Sequence, residues 1–304
     1  MGLRRAVGPG NESVSEATTW ERLDLGPLSR HTKRGRGRGL SISSTQDIDA
    51  GGLISAASLL FAPGERPGRD AISALVGAKA GFTVSFDPAD EAKPEEQADD
   101  ASDAGEWIEL LANGLTFDLV GLAPGPPPDL PPQGQAFGLA AGAETGWLEA
   151  ITLRPGPHLA AGARMVPVVR SLAWLAARLT DLPGTRAVAW HAARSWCDPA
   201  LYRDSVLRWI DGGVFPGLGL ASLAPMPDGG MQSQGLALFH GQELRLEPEL
   251  VDDRAAAAKT ALRLMHWLVE HGRVDGQERL TGSDGRPLRL EPSRNGRFVR
   301  VWRG

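Results

Sequence analysis

Apolar residues along the chain fall into short runs separated by Gly, Pro and charged clusters, and the period of each run assigns it to a strand or a helix. "LISAASLLFA" (53–62) is a continuous apolar run of strand length and "FTVSF" (82–86) a second strand, with "RDAISALVGAKA" (69–80) at helical spacing between them. "WIELL" (107–111) and "LTFDLVGL" (115–122) flank Ala112, Asn113 and Gly114. Asn-Gly supplies the positive φ angles of a tight turn, so these runs predict a hairpin. The first part of the chain therefore reads as an antiparallel sheet with one helix.

The second part has three better-marked helices. "ARMVPVVRSLAWLAARLTDL" (163–182) spaces Met165, Val168, Val169, Leu172, Leu175, Ala176 and Leu179 along one stripe, and Pro167 fits only in its first turn. "DPALYRDSVLRWIDGG" (198–213) opens on a capping Asp198 and Pro199 and stops at a glycine pair. "DDRAAAAKTALRLMHWLVEHG" (252–272) runs from Asp252 and Asp253 to Gly272, with Ala255, Ala258, Leu262, Met265 and Val269 as its expected buried stripe. Strand patterns lie at 148–153, 186–191, 218–224, 235–240, 243–248, 287–292 and 297–303. Together they predict an α+β fold, a mixed or mainly antiparallel sheet covered by about three to four helices.

Three polar stretches interrupt this pattern. Residues 1–50, containing "RHTKRGRGRG" (30–39), read as a disordered tail. "DPADEAKPEEQADDASDAGE" (87–106) reads as an acidic loop. "APGPPPDLPP" (123–132) must be extended and divides the folded chain into halves 51–132 and 133–304.

Composition narrows the class. With 42% hydrophobic and 23% charged residues in 304, the chain belongs with globular proteins. No apolar run approaches the about 18 residues of a membrane span, and the N-terminal stretch lacks the apolar centre of a secretory signal. The expectation is a cytoplasmic protein with no membrane partner. A single cysteine, Cys197, excludes an internal disulfide and a multi-cysteine zinc site. Lysine occurs only at Lys33, Lys79, Lys93 and Lys259, a GC-rich coding bias that lowers the information carried by Arg and Gly runs.

Candidate chemistry is sparse. His240, Gln242 and Glu243 in "GLALFHGQELRLEP" (235–248) sit between two strand-like runs, where a short turn accounts for them. The competing reading is a hydrolase that gathers His240, Glu243 and His158, although the second histidine of an H-E-x-x-H site is missing. Cys197 precedes a helix start, which lowers a thiol pKa, but Trp196 beside it points to packing. Arg164, at the entry to the 163–182 helix, suits a shallow anion site. "GLGLAS" (217–222) is no dinucleotide fingerprint, because no helix follows it, and no cofactor is expected.

"AVAW" (187–190), "SVLRWIDGGVFP" (205–216), "SQGL" (233–236) and "FHGQE" (239–243) together resemble a bacterial domain-of-unknown-function family. That family carries a Trp-ended strand, a short helix, T-x-G-L-x-x-F-G-x-x-E, then a final helix and hairpin. Ser233, His240 and Arg245 stand where it prefers Thr, Gly and an acidic residue. The resemblance spans about 148–304 and implies the fold and a binding role rather than an activity. The expected function is a non-enzymatic, protein-binding module of immunity-like or regulatory kind, with Trp174 and Trp302 as interface anchors. Nucleic acid is the alternative partner, held through Arg30, Lys33, Arg34, Arg36 and Arg38.

Overall fold

The computed structural model describes residues 55–77, 81–91, 107–130, 133–139, 148–282 and 284–304, all within one unit. The basic run 30–39 and most of the acidic segment 87–106 lie outside the described residues. The fold is α+β, and its strands form two sheets where the pattern predicts one.

The first half begins with β1 (Ala57–Phe61), every residue of which is buried, followed by α1 (Arg69–Gly77), β2 (Thr83–Phe86) and the single turn α2 (Pro88–Glu91). β3 (Trp107–Ala112) and β4 (Leu115–Val120) form the expected hairpin, with φ of 53° at Asn113 and 76° at Gly114. Arg66 ties the following proline segment down. Its guanidinium bonds the carbonyls of Gly121 and Gly125 and the carboxylate of Glu149. Beyond that segment come β5 (Gln135–Phe137), β6 (Glu149–Pro155), α3 (Val166–Leu179), β7 (Ala187–Trp190) and β8 (Ser195–Cys197). The sheet order is β2-β3-β4-β6-β1-β7-β8-β5, so strands from both sides of the prolines share one sheet.

α3 packs across β1, β4 and β6. Pro167 lies in its first turn as expected, but Met165 is its N-cap and is 61% exposed rather than part of the stripe. The helix begins one residue after it, so Met165 never acquires the helical phase that would turn it inward.

The chain continues into α4 (Pro199–Ile210), capped by Asp198, whose carboxylate accepts from Leu201 N–H at 2.9 Å. α5 (Gly217–Leu220), β9 (Ser222–Pro225), β10 (Met231–Gln234), α6 (Ala237–His240), β11 (Glu243–Leu246), α7 (Arg254–His271), β12 (Glu278–Thr281), β13 (Pro287–Pro292) and β14 (Phe298–Arg303) complete the chain. The six-stranded sheet runs β12-β13-β14-β11-β10-β9, with β11 and β14 parallel and the other pairs antiparallel.

Two expected strands are partly or wholly helical. Residues 217–220 form α5 because Gly217 and Gly219 let the backbone lie against Leu262 of α7 and Tyr202 of α4. Residues 237–240 form α6 rather than a strand, for a reason that belongs to the site below. The stripe of α7 is also displaced: Ala257, Ala261, Leu264, Met265 and Leu268 are buried and Ala255 is exposed. An alanine-rich helix carries apolar groups on most faces, so packing against β11, α5 and α6 sets its rotation.

One continuous core joins the inner faces of both sheets with α3, α4 and α7. Cys197 belongs to it, 1% exposed, and desolvation together with the charge of Asp198 pushes its thiol up to about 12. The helix-start effect expected from sequence is overwhelmed by burial. Ellman's reagent should therefore leave the native protein unmodified and titrate one thiol after denaturation; rapid modification of the native state would refute this placement.

Candidate functional site

Glu243 does not face a cleft. Its carboxylate accepts hydrogen bonds from Ser233 Oγ (2.5 Å) and from the backbone N–H groups of Gly235 (2.9 Å), Leu236 (3.2 Å) and Ala237 (3.1 Å). The last three belong to the first turn leading into α6, whose donors have no partner within the helix. Glu243 is thus the cap of α6 delivered from the next strand, and it is what makes 237–240 helical. Ser233 completes the clasp by accepting from Leu244 N–H at 2.8 Å. Gly235, at φ 90°, reverses the chain against Ala193, whose backbone would lie 3.0 Å from any Cβ.

His240 is the last residue of α6, and Gly241 at φ 92° is its left-handed C-cap. The short turn expected here is present, and what enters it is a helix ending rather than a strand. The imidazole is 9% exposed and neither ring nitrogen has a hydrogen-bond partner. Desolvation, with the Arg273 guanidinium nearby, lowers its pKa to about 4. Gln242 is fully buried and holds Val274 by both backbone groups, accepting at 2.9 Å and donating at 3.1 Å. Glu243 and Gln242 are thus engaged by backbone groups of the chain, while His240 is buried without a hydrogen-bond partner.

His158 lies in the 3-10 turn Pro157–Gly162 and is exposed. No hydrogen bond or ion pair among the described residues joins the three proposed hydrolase residues. Arg164 is exposed next to an α3 start that has no capping side chain. Sequence reasoning overlooked a buried chain of polar groups on the eight-stranded sheet. Ser58 Oγ lies 2.7 Å from Thr152 Oγ1 and 2.8 Å from His191 Nε2. Ser58 has no solvent exposure, which places this serine–histidine pair out of reach of a substrate in this structure. Asp118, on the same sheet, is raised by burial, opposed by Arg154 at 3.5 Å. A cavity of about 100 Å³ between α7 and β12–β13, lined by Thr260, Arg263, Leu264, Thr281, Gly282 and Leu288, is smaller than sites for typical ligands.

The two tryptophans differ. Trp174, in α3, is half-buried, its ring beside Gly81 and its face 5.9 Å from the Arg178 guanidinium. Trp302 stands on the face of the six-stranded sheet opposite the buried Leu244, Leu246, Leu288, Leu290, Val299 and Val301. Cross-strand register sets Arg279, Arg289 and Trp302 in one row, and Glu291, Arg300, Arg245 and Gln232 in the next. None of these side chains is buried. The guanidinium carbons of Arg289 and Arg300 lie 5.0 and 4.8 Å from the Trp302 ring centroid. Arg300 in turn bonds the buried Glu247 at 2.6 Å, and Arg245 bonds Glu247 and Asp228. The alternation in "ELRLEP", "PLRLEP" and "RFVRVWR" places these arginines on a wet face; only pairing shows that they meet around one tryptophan.

No family model, curated protein or solved structure matches the chain.

Two outcomes separate a structural from a catalytic clasp. Glu243→Gln keeps the shape but loses the charge that four donors share, so it should lower unfolding free energy by roughly 2 kcal/mol in denaturant titration. Unchanged or increased stability would argue for a residue held for chemistry instead. His240 has a folded pKa near 4 against 6.5 unfolded, so between pH 6.5 and 4 the unfolded chain takes a proton that the folded chain refuses. Stability should fall across that window by about 3 kcal/mol and then lose nothing more from this group. His240→Leu should flatten the difference between pH 7 and pH 4.5; an identical pH dependence in both proteins would count against the buried neutral imidazole.

Proposed function

We propose that the chain is a protein-binding module, immunity-like or regulatory in role and without chemistry of its own, that docks a partner in the cytoplasm on the open face of the six-stranded sheet. The observation carrying this reading is Trp302, partly buried on the open face and flanked by the guanidiniums of Arg289 and Arg300. Tryptophan and arginine dominate interface energetics, and a ring already fixed by its neighbours loses little freedom on binding. Arg164 and Trp174 are secondary candidates, because neither belongs to a comparable assembly. Apart from Arg279 at the edge, the arginines of the face favour a protein over a nucleic acid. Arg245, Arg289 and Arg300 each have a carboxylate of this chain within 3.5 Å, whereas a phosphate backbone is held by cations free to replace its counterions.

Trp302→Ala should leave thermal unfolding close to that of the parent and reduce retention of a specific protein partner at least about 10-fold when both forms are purified from native cells at low salt. Equal retention by the two forms would remove the open face from consideration.

A further inference from the structure

The two edges of the six-stranded sheet are treated differently. At β9, the side chain of Gln135 closes the edge: its amide donates to the carbonyl of Leu223 and accepts from the Leu223 N–H at 3.2 Å. At β12, no strand among the described residues pairs with the outer edge. β12 contains no proline and pairs with β13 in unbroken register, Glu278 to Leu290 through Thr281 to Pro287. It lacks a bulge or proline, and only its four-residue length and the charges of Glu278 and Arg279 guard the edge.

The same edge holds unspent positive charge. Arg279 of β12 and Arg289 of β13 are direct cross-strand partners, a like-charge pairing that costs stability. Arg279 is exposed and has no carboxylate partner among the described residues. Arg289 lies 3.5 Å from Glu291, yet its buried Nε makes no hydrogen bond. By contrast, Arg300 and Arg245 on the inner strands are saturated by Glu247 and Asp228. The nearby Arg273 and Arg286 are paired with Asp275 and Asp284, and the side chain of Glu278 belongs to the opposite face of the strand.

Resting on the protein-binding reading, we infer that the partner offers an extended acidic segment, which adds a strand to the outer edge of β12 and places a carboxylate against the exposed guanidinium of Arg279. Backbone pairing to an open edge supplies affinity, and alternate side chains supply selectivity. A carboxylate at this position offsets the like-charge pairing of Arg279 with Arg289 and supplies the anionic partner that Arg279 lacks.

The probe is a synthetic nine-residue peptide alternating Thr and Glu, with the Thr and Lys version as control, titrated into the full chain by fluorescence anisotropy. The Glu peptide should bind at least about 10-fold more tightly than the Lys peptide, weaken with added salt, and slow amide exchange in β12. Arg279→Glu, on an exposed side chain, should reduce that binding at least 10-fold, with Arg279→Gln intermediate. Equal binding of the two peptides, no binding at millimolar concentration, or insensitivity to Arg279→Glu overturns the inference. Retention of the native partner by Arg279→Glu but not by Trp302→Ala would overturn it while leaving the protein-binding reading standing.

Discussion

The joint between the two sheets depends on one carboxylate. Glu243 gathers the hydroxyl of Ser233 and three successive backbone N–H groups, and so fixes the path of the chain from β10 into α6 and back to β11. Four donors converging on an anion outweigh the preference of "GLALFH" for extended structure. The consequence reaches well beyond the turn. α6 carries Phe239 into a cluster where its ring centroid lies 4.9 Å from Phe215, 5.7 Å from Trp209 and 6.2 Å from Trp190. These aromatic side chains come from the eight-stranded sheet, from α4 and from the connection after it, so the cluster locks both halves of the core together.

Around that joint, buried polar side chains complete the backbone's hydrogen bonding where regular structure stops. Ser195 Oγ donates to the Gly219 carbonyl and Ser222 Oγ to the Ala193 carbonyl, each stitching the β7–β8 region to the α5–β9 region. Gln242 does the same for the chain leaving α7. A buried carbonyl or N–H without a partner costs more than a made hydrogen bond returns, which explains why such residues sit where two segments meet, Ser195 and Ser222 at the first positions of β8 and β9. Of the residues that invited a catalytic reading, Glu243 is engaged in capping α6. The resemblance motif, Ser233 through Glu243, is accounted for as a capping clasp, and its chemistry is that of an anion neutralising a helix start.

With one face of the six-stranded sheet committed to the core, its other face is left to solvent and carries the concentration of arginine around Trp302. The Glu247 carboxylate, 6% exposed as a residue, anchors Arg245 and Arg300 from below.

Much of the fold was legible because it is written in local chemistry. Asn113-Gly114 specifies the hairpin, Asp198-Pro199 the start of α4, Asp253 the start of α7 and Gly272 its end, since each needs only a few neighbouring residues to satisfy its backbone. Alternation likewise identified β11, β13 and β14. Tertiary structure decided what depends on partners distant in sequence or on packing. Residues 237–240 became helical through Glu243, residues 217–220 through the approach of glycine to α4 and α7, and α7 took its rotation from the surfaces it covers. The candidate site divides the same way. Sequence alone marked Trp302 and its alternating arginines as outward-facing, but the pairing of β13, β14 and β11 decided which charges meet, because cross-strand register is set by the core on the other face.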